Sequence, residues 1–116
     1  MTIQRLEVGP RMSQAVVHGN TIYLAGVVAK ATAGKSVTEQ TQEVLSIIDG
    51  HLEKAGSDKS KLLTATIYLT DMKTFADMNA VWDKWVSPGN TPARATVEAK
   101  LANPALKVEI MVQAAI

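Results

Sequence analysis

The stretch Asn90-Thr91-Pro92-Ala93-Arg94-Ala95-Thr96-Val97-Glu98 joins a proline-bounded turn to an alternation of small apolar and polar residues. Residues two apart on a strand share a face, so Arg94, Thr96 and Glu98 are predicted to point one way and the small residues the other. An arginine that opens a strand among small residues can offer its planar fork to a carboxylate. The structural alternative is that Arg94 caps a sheet edge or pairs with Glu98 or Glu109.

The composition is that of an ordinary globular chain. Its 116 residues are 47% hydrophobic and 20% charged, which predicts one domain over residues 1–116 with a single core and argues against disorder. The absence of cysteine excludes disulfides and thiolate chemistry. A net charge of +1 with scattered basic residues gives no footprint for nucleic acid. With only His18 and His51 present, no metal site is expected.

Neither membrane insertion nor export is expected from the sequence. No apolar run approaches the length of a membrane span. The first residues, Met1 to Arg5, lack the apolar core of a signal peptide. We therefore expect a cytoplasmic protein, with which the lack of cysteine is compatible.

The first half of the chain carries clear turn and cap signals. Ile3–Val8 is predicted as a strand, and the Gly19-Asn20 turn joins the next two β-rich runs, the second extending to Val28, into a hairpin. Ser36 and the glutamate three residues later form a capping box that begins a helix. Gly56 is predicted to end that helix.

The second half repeats the change from strand to helix. Residues 61–69 are predicted as a strand, and Thr74 is predicted to cap a helix that runs to about Val86. Residues 107–115 form the last strand, in which Glu109 interrupts an apolar pattern and, if buried, needs a partner or a proton. The strand is predicted to carry one apolar face, formed by Leu63, Ala65, Ile67 and Leu69. The helix is predicted to carry one apolar stripe, formed by Phe75, Met78, Val81, Trp82 and Trp85.

The order β-β-β-α-β-α-β-β predicts an α+β fold in which two helices pack on one face of a mixed sheet. The other face carries small and apolar residues, which suits burial against further subunits, so we expect a homo-oligomer. The turn at Asn103-Pro104 would by itself suggest a hairpin between the last two strands.

Several segments taken together resemble the reactive intermediate deaminases, the RidA family formerly called L-PSP endoribonucleases, and most of all its YoaB-like branch. The likeness covers nearly the whole chain. The segments that carry it are Arg11-Met12-Ser13-Gln14, Gly19-Asn20, Leu24-Ala25-Gly26, Asp71-Met72, Met78-Asn79, Pro92-Ala93-Arg94 and Val108-Glu109-Ile110. The resemblance implies a chorismate-mutase-like fold with the final strand between the first and second core strands. It also implies a homotrimer with three sites in the clefts between subunits.

Members of the family hydrolyse enamines and 2-imino acids, released by pyridoxal-phosphate enzymes, to 2-keto acids and ammonia without a metal or organic cofactor. By resemblance, Arg94 binds the substrate carboxylate and Glu109 orients or activates the attacking water. Thr96 and Asn79 lie near the ligand, and Gly26 lets the backbone approach the cleft closely. An imine is already electrophilic, so positioning and a polarised water suffice for this chemistry.

Four positions depart from the family pattern. Met12 replaces a tyrosine, Ala25 a serine, Thr96 a cysteine, and Met111 a second acidic residue of the last strand. We expect these changes to alter substrate range or rate, since the arginine and the glutamate remain. The loss of polar groups keeps a rival open, a non-catalytic module that binds small carboxylates such as keto acids. Ribonuclease activity, which the old family label suggests, is disfavoured by the charge.

Overall fold

Seven strands and two α-helices form along the chain, and the computed structural model describes all of residues 1–116. The predicted order is confirmed, except that the third predicted strand is divided into two. The elements are β1 (Ile3–Val8), β2 (Ser13–His18), β3 (Thr21–Leu24), β4 (Val27–Val28), α1 (Val37–Lys54), β5 (Leu62–Leu69), α2 (Phe75–Trp85), β6 (Ala93–Glu98) and β7 (Val108–Ala115).

All strands belong to one mixed sheet with the order β1-β2-β3-β7-β5-β6, and β4 pairs with β7 beyond the end of β3. Only β5 and β6 are parallel, because α2 provides the crossover that a parallel pair requires. The final strand β7 thus lies between β3 and β5 rather than beside β6. The hairpin suggested by Asn103-Pro104 does not form, and β7 lies inside the sheet, away from β6, as the resemblance implied.

Helix α1 forms where the sequence predicts it. The Ser36 hydroxyl accepts a hydrogen bond from the Glu39 amide at 3.1 Å and so caps the first turn. The helix ends before Gly56, whose φ of +84° is the left-handed conformation that glycine adopts without strain. The buried residues of α1 recur at helical spacing and include Val44, Leu45, Ile48 and Leu52.

One face of the sheet, here called the helix face, is covered by both helices. On β7 the alternate residues Val108, Ile110 and Val112 are buried there, together with Ala65 and Ile67 of β5. They join α1 and α2 in a single core cluster of 21 buried residues. The predicted α+β arrangement, with two helices on one face of a mixed sheet, is therefore confirmed.

The opposite face, here called the open face, has no element packed on it. It presents Tyr23, Tyr68, Val97, Glu109 and Met111. Tyr23, Val97 and Met111 are 42%, 43% and 37% exposed. Large apolar side chains on a sheet face that nothing covers are typical of an interaction surface.

Three details of the predicted elements are wrong. A register shift between Leu62 and Thr64 inserts an extra residue into β5, so Leu62 is buried and Leu63 is exposed. Thr74 makes no capping bond to α2, because its hydroxyl donates to the carbonyl of Asp71. Phe75, predicted for the apolar stripe of α2, is 39% exposed.

The predicted strand from Thr21 to Val28 also breaks at Ala25-Gly26. The Ala25 amide donates to the carbonyl of Gln14 at 3.0 Å, and pairing with β7 resumes only at Val27. This interruption places Gly26 against the open face. Neither helix is long and apolar enough to cross a membrane.

Candidate functional site

Arg94 lies on the edge strand β6 and points towards the helix face. In the parallel register of β5 and β6, Arg94 is level with the buried Ala65, and Thr96 is level with the buried Ile67. The predicted alternation along β6 is therefore confirmed, with Arg94, Thr96 and Glu98 on the side of α2.

Two residues of α2 hold the Arg94 guanidinium. Its Nη1 donates to Oδ1 of Asn79 at 2.8 Å, and its Cζ lies 5.3 Å from the centroid of the Trp82 ring. A guanidinium has five N–H donors, and the bond to Asn79 is the one that Arg94 makes within the chain. The remaining donors can hold a carboxylate by two parallel hydrogen bonds. The indole below it favours the charged group.

The structural alternative for Arg94 is half right. The residue does lie at a sheet edge, but it pairs with neither carboxylate. Glu98 Oε1 instead accepts a hydrogen bond from the Met72 amide at 2.9 Å, at the turn before α2. Glu109 lies on the other face of the sheet.

Thr96 brings a buried hydroxyl to the same region. Its Oγ1 is inaccessible to solvent and has no hydrogen-bond partner. Such an orphaned group costs about 1–3 kcal/mol when nothing satisfies it. It follows Arg94 by two residues on the same face of the strand, level with the buried Ile67.

Glu109 stands in the middle of the open face, between Val28 of β4 and Tyr68 of β5. Glu109 is half-buried, and its side chain makes no hydrogen bond or ion pair within the chain. A Cβ added at Gly26 would lie 3.0 Å from Glu109 Cδ and closer still to Oε2. In this conformation the carboxylate occupies the space that a side chain at position 26 would fill.

A groove of about 320 Å³ adjoins Gly26 at the broken strand. Met12, in place of the family tyrosine, is 47% exposed and lines it. The imidazole of His51, predicted to be a surface residue of α1, lies at the far side with Nδ1 3.3 Å from Oε2 of Glu7. Met111 follows Glu109 by two residues on the open face, and Tyr68 of β5 is the direct cross-strand neighbour of Glu109.

The predicted site residues thus form two groups in one chain. Arg94, Asn79 and Thr96 lie together on the helix face, and Gly26 and Glu109 lie together on the open face. The two groups are separated by the strand β5, which means about 10 Å across the sheet and, from the register, about 10 Å along it. One chain does not bring Arg94 and Glu109 to a common cavity.

Trp82 is the residue that sequence reasoning missed, since it was predicted as core or interface mass. Its indole is indeed 4% exposed, yet it also stacks on the arginine. The available signal was its spacing of three from Asn79, which places both side chains on one side of α2.

The two carboxylates whose pKa is lowered, Glu43 and Asp58, lie outside both groups of site residues. The Thr32 hydroxyl, with the Ala31 and Thr32 amides, holds the pKa of Glu43 below its usual value. Hydrogen bonds from Ser60 likewise lower the pKa of Asp58. No three metal-ligating side chains cluster in the chain.

Comparison with known proteins identifies the family. The family profile described as Endoribonuclease L-PSP matches residues 2–116. A RutC family protein from Haemophilus influenzae is 51% identical over 112 residues, covering 97% of both chains. The RutC family protein YoaB from Escherichia coli is 48% identical over 116 residues, covering all of both chains.

The fold agrees with that of a solved relative. The crystal structure of a YjgF family member from Neisseria meningitidis superposes with a TM-score of 0.96 at 47% identity, covering 99% of this chain and 95% of the other. The chain therefore belongs to the endoribonuclease L-PSP family of RutC and YjgF proteins, as its resemblance to RidA and YoaB indicated.

Proposed function

We propose that this protein hydrolyses 2-imino acids, and the enamines that interconvert with them, to 2-keto acids and ammonia. The observation that carries the proposal is the state of Arg94. Asn79 and Trp82 hold its guanidinium, and its remaining N–H groups have no partner within the chain. This arrangement suits an α-carboxylate bound by two parallel hydrogen bonds.

The proposed active unit is a homotrimer in which each site combines two subunits. Arg94 of one chain and Glu109 of the same chain lie on opposite faces of the sheet, so a site containing both needs a second copy. The exposed apolar residues of the open face support such packing. Packing of that face would bring the Arg94 edge of one subunit towards the Glu109 of its neighbour.

In the proposed reaction, water adds to the carbon of the C=N bond and the nitrogen leaves as ammonia. Glu109 accepts a proton from the attacking water as the C–O bond forms and passes it to the nitrogen; it then carries the proton of the new hydroxyl group to the nitrogen as the C–N bond breaks and the C=O bond forms. Arg94 fixes the carboxylate so that the imine carbon faces this water. The balance is one imino acid and one water consumed, and one keto acid and one ammonia formed.

A second candidate is a non-catalytic module that binds small carboxylates. It is favoured by the fact that the Arg94 group is complete within one chain, whereas the Glu109 side chain has no hydrogen-bond partner and lacks the polar groups that Met12 and Ala25 replace. This candidate predicts keto-acid binding measured by calorimetry without faster release of ammonia.

The experiment couples an amino-acid oxidase, which generates 2-imino acids, to trapping of the imine by semicarbazide. The wild-type protein should diminish trapping, and Arg94→Ala should lose about two orders of magnitude in rate because a bidentate charged contact is removed. Arg94→Lys keeps the charge but loses the fork, so it should recover only part of the rate.

Lys35→Ala is the matched control, since it removes an exposed cation that bonds only through its backbone. It should behave as wild type, and all variants should keep the wild-type oligomeric state. Undiminished trapping by the wild type over several amino acids, together with keto-acid binding that depends on Arg94, would replace the enzyme by the binding module.

A further inference from the structure

A second groove, here called the interhelix groove, runs between α1 and α2. Its volume is about 410 Å³, within the range of small-molecule sites. One wall carries Thr38, Gln42 and Ser46 of α1, spaced four residues apart so that their polar groups form a row. Leu45 and Val81 make the floor apolar.

The indole of Trp85 forms one end of the interhelix groove and is held in place. Its Nε1 donates to Oδ2 of Asp49 at 2.9 Å. The ammonium of Lys59 lies 5.4 Å from the ring centroid. Trp85 also packs on Trp82, with ring centroids 5.3 Å apart. A rigid, partly exposed aromatic surface beside a cation is therefore present before any ligand arrives.

The charges that line the groove do not balance. Lys59 and Lys84 contribute two positive charges and Asp49 one negative charge, so the lining carries a net charge of +1. Neither lysine forms an ion pair, because the only ion pairs of the chain involve Glu7. The carboxylate of Asp49 is already engaged by the indole N–H. The ligand that complements this lining carries one negative charge.

We propose that the interhelix groove binds a small aromatic carboxylate. The carboxylate lies between Lys59 and Lys84, and the planar apolar body rests on Trp85 and Val81. The hydroxyls and amide of the α1 wall accommodate polar substituents at the far end. This site does not rest on the proposed deaminase activity, because its lining shares no residue with Arg94, Asn79, Thr96, Gly26 or Glu109.

The test uses 2-naphthoate as the probe and 2-naphthalenemethanol as its uncharged analogue. Only Trp82 and Trp85 give indole N–H resonances, and Trp85→Phe assigns them. Titration of the intact protein with 2-naphthoate should shift the Trp85 resonance with a saturable dependence. Lys59→Met and Lys84→Met should each weaken binding about three- to fivefold, the effect of one exposed charge pair.

Lys35→Met is the control, since it removes the same charge from an exposed loop outside the groove. It should leave the naphthoate affinity unchanged, and the neutral alcohol should bind at least about threefold more weakly than the acid. Equal binding of acid and alcohol, equal weakening by Lys35→Met, or no shift of the Trp85 resonance at millimolar naphthoate would each overturn the proposal.

Discussion

Arg94 and Glu109 carry opposite charges and lie in opposite kinds of surroundings. The guanidinium of Arg94 is hydrogen-bonded to Asn79 and stacked on Trp82, both supplied by its own chain. The carboxylate of Glu109 has no polar partner in its chain and stands on a sheet face that nothing covers. A single chain thus preorganises the group proposed to bind the substrate, whereas the proposed catalytic carboxylate has no such support within its chain.

The two faces of the sheet differ in the same way. The helix face buries a continuous core of 21 residues, so substitutions there act on folding. The open face leaves Tyr23, Val97 and Met111 exposed, so substitutions there should act on assembly. If the proposed site is shared between subunits, substitutions on the two faces should therefore be separable, with stability affected by the first and assembly by the second.

The largest effect should come from mixing two inactive variants. If each site takes Arg94 from one subunit and Glu109 from the next, Arg94→Ala and Glu109→Gln chains should each be inactive alone. Co-assembled in equal amounts, they should recover about a quarter of the wild-type rate, since about a quarter of the sites of a ring then hold both intact groups. The semicarbazide assay on co-expressed chains measures this recovery.

The control for the mixing experiment uses two residues that one chain brings together. Asn79 bonds Arg94 of its own chain, so Arg94→Ala mixed with Asn79→Ala restores no intact site. The mixture should show no more than the mean of the two separate rates. Recovery in this control, or none with Glu109→Gln, would contradict a site shared between Arg94 of one subunit and Glu109 of another.

The next effect should follow from Gly26→Ala. The added methyl group would meet the Glu109 carboxylate, which is the end of a flexible side chain and can turn aside. We expect the hydrolysis rate to fall at least about tenfold, because misplacing a catalytic group by about 1 Å is costly. The melting temperature should change little, since the φ of Gly26 is one that alanine adopts.

Gly50→Ala is the matched control for that substitution. A Cβ at Gly50 meets no atom within 4 Å, and alanine in a helix interior is favoured over glycine by about 1 kcal/mol. This variant should be more stable than the wild type at unchanged activity. A Gly26→Ala protein as active as the wild type would show that Glu109 is not used in the conformation described.

A smaller effect should come from Asn79→Asp. The new carboxylate would lie within hydrogen-bond distance of Arg94 and compete with the carboxylate of the substrate. We expect KM to rise about tenfold, equivalent to about 1.4 kcal/mol, with kcat changed less. Asn79→Ala should raise KM by a smaller factor, because it removes an orienting bond without adding a competitor.

Local features of the fold were predictable because they depend on near neighbours in sequence. Strand β1 has the predicted bounds, the Gly19-Asn20 turn forms the hairpin between β2 and β3, and α1 begins after Ser36 as expected. The bulge that exposes Leu63 was not predictable, because it exists only in the pairing of β5 with β7. That β7 lies inside the sheet and not beside β6 followed from the family resemblance and not from any local signal.

The candidate site was predictable to the same extent. Periodicity correctly placed Arg94 and Thr96 on one face of their strand. Periodicity could not show that Arg94 and Glu109 lie on opposite faces of the sheet. That relation depends on how β5 pairs with β6 on one side and with β7 on the other. The contact between Arg94 and Asn79 likewise joins a strand to a helix and required the resemblance or the fold.

The smallest predicted effect is on the free energy of unfolding, and it distinguishes Glu109 from Glu43, a carboxylate whose hydrogen-bond partners all come from its own chain. Glu43 accepts hydrogen bonds from the Ala31 amide at 3.1 Å and from the Thr32 amide and hydroxyl at 2.8 and 2.6 Å. Glu43→Gln should lower the free energy of unfolding at neutral pH by about 1 kcal/mol. Glu109→Gln loses no side-chain hydrogen bond within its chain, so the free energy of unfolding of the monomeric protein should change by no more than about 0.5 kcal/mol.

The dependence on pH separates the two carboxylates further. Because these bonds hold the pKa of Glu43 below its usual value, the stabilisation is fully present above the unfolded pKa of about 4.3 and is lost as the pH falls through the folded pKa. The difference between wild type and Glu43→Gln in urea unfolding should therefore shrink on acidification. A difference that stays constant across that range would mean that the loop bonds do not depend on the charge of Glu43, and that its contrast with Glu109 is one of packing alone.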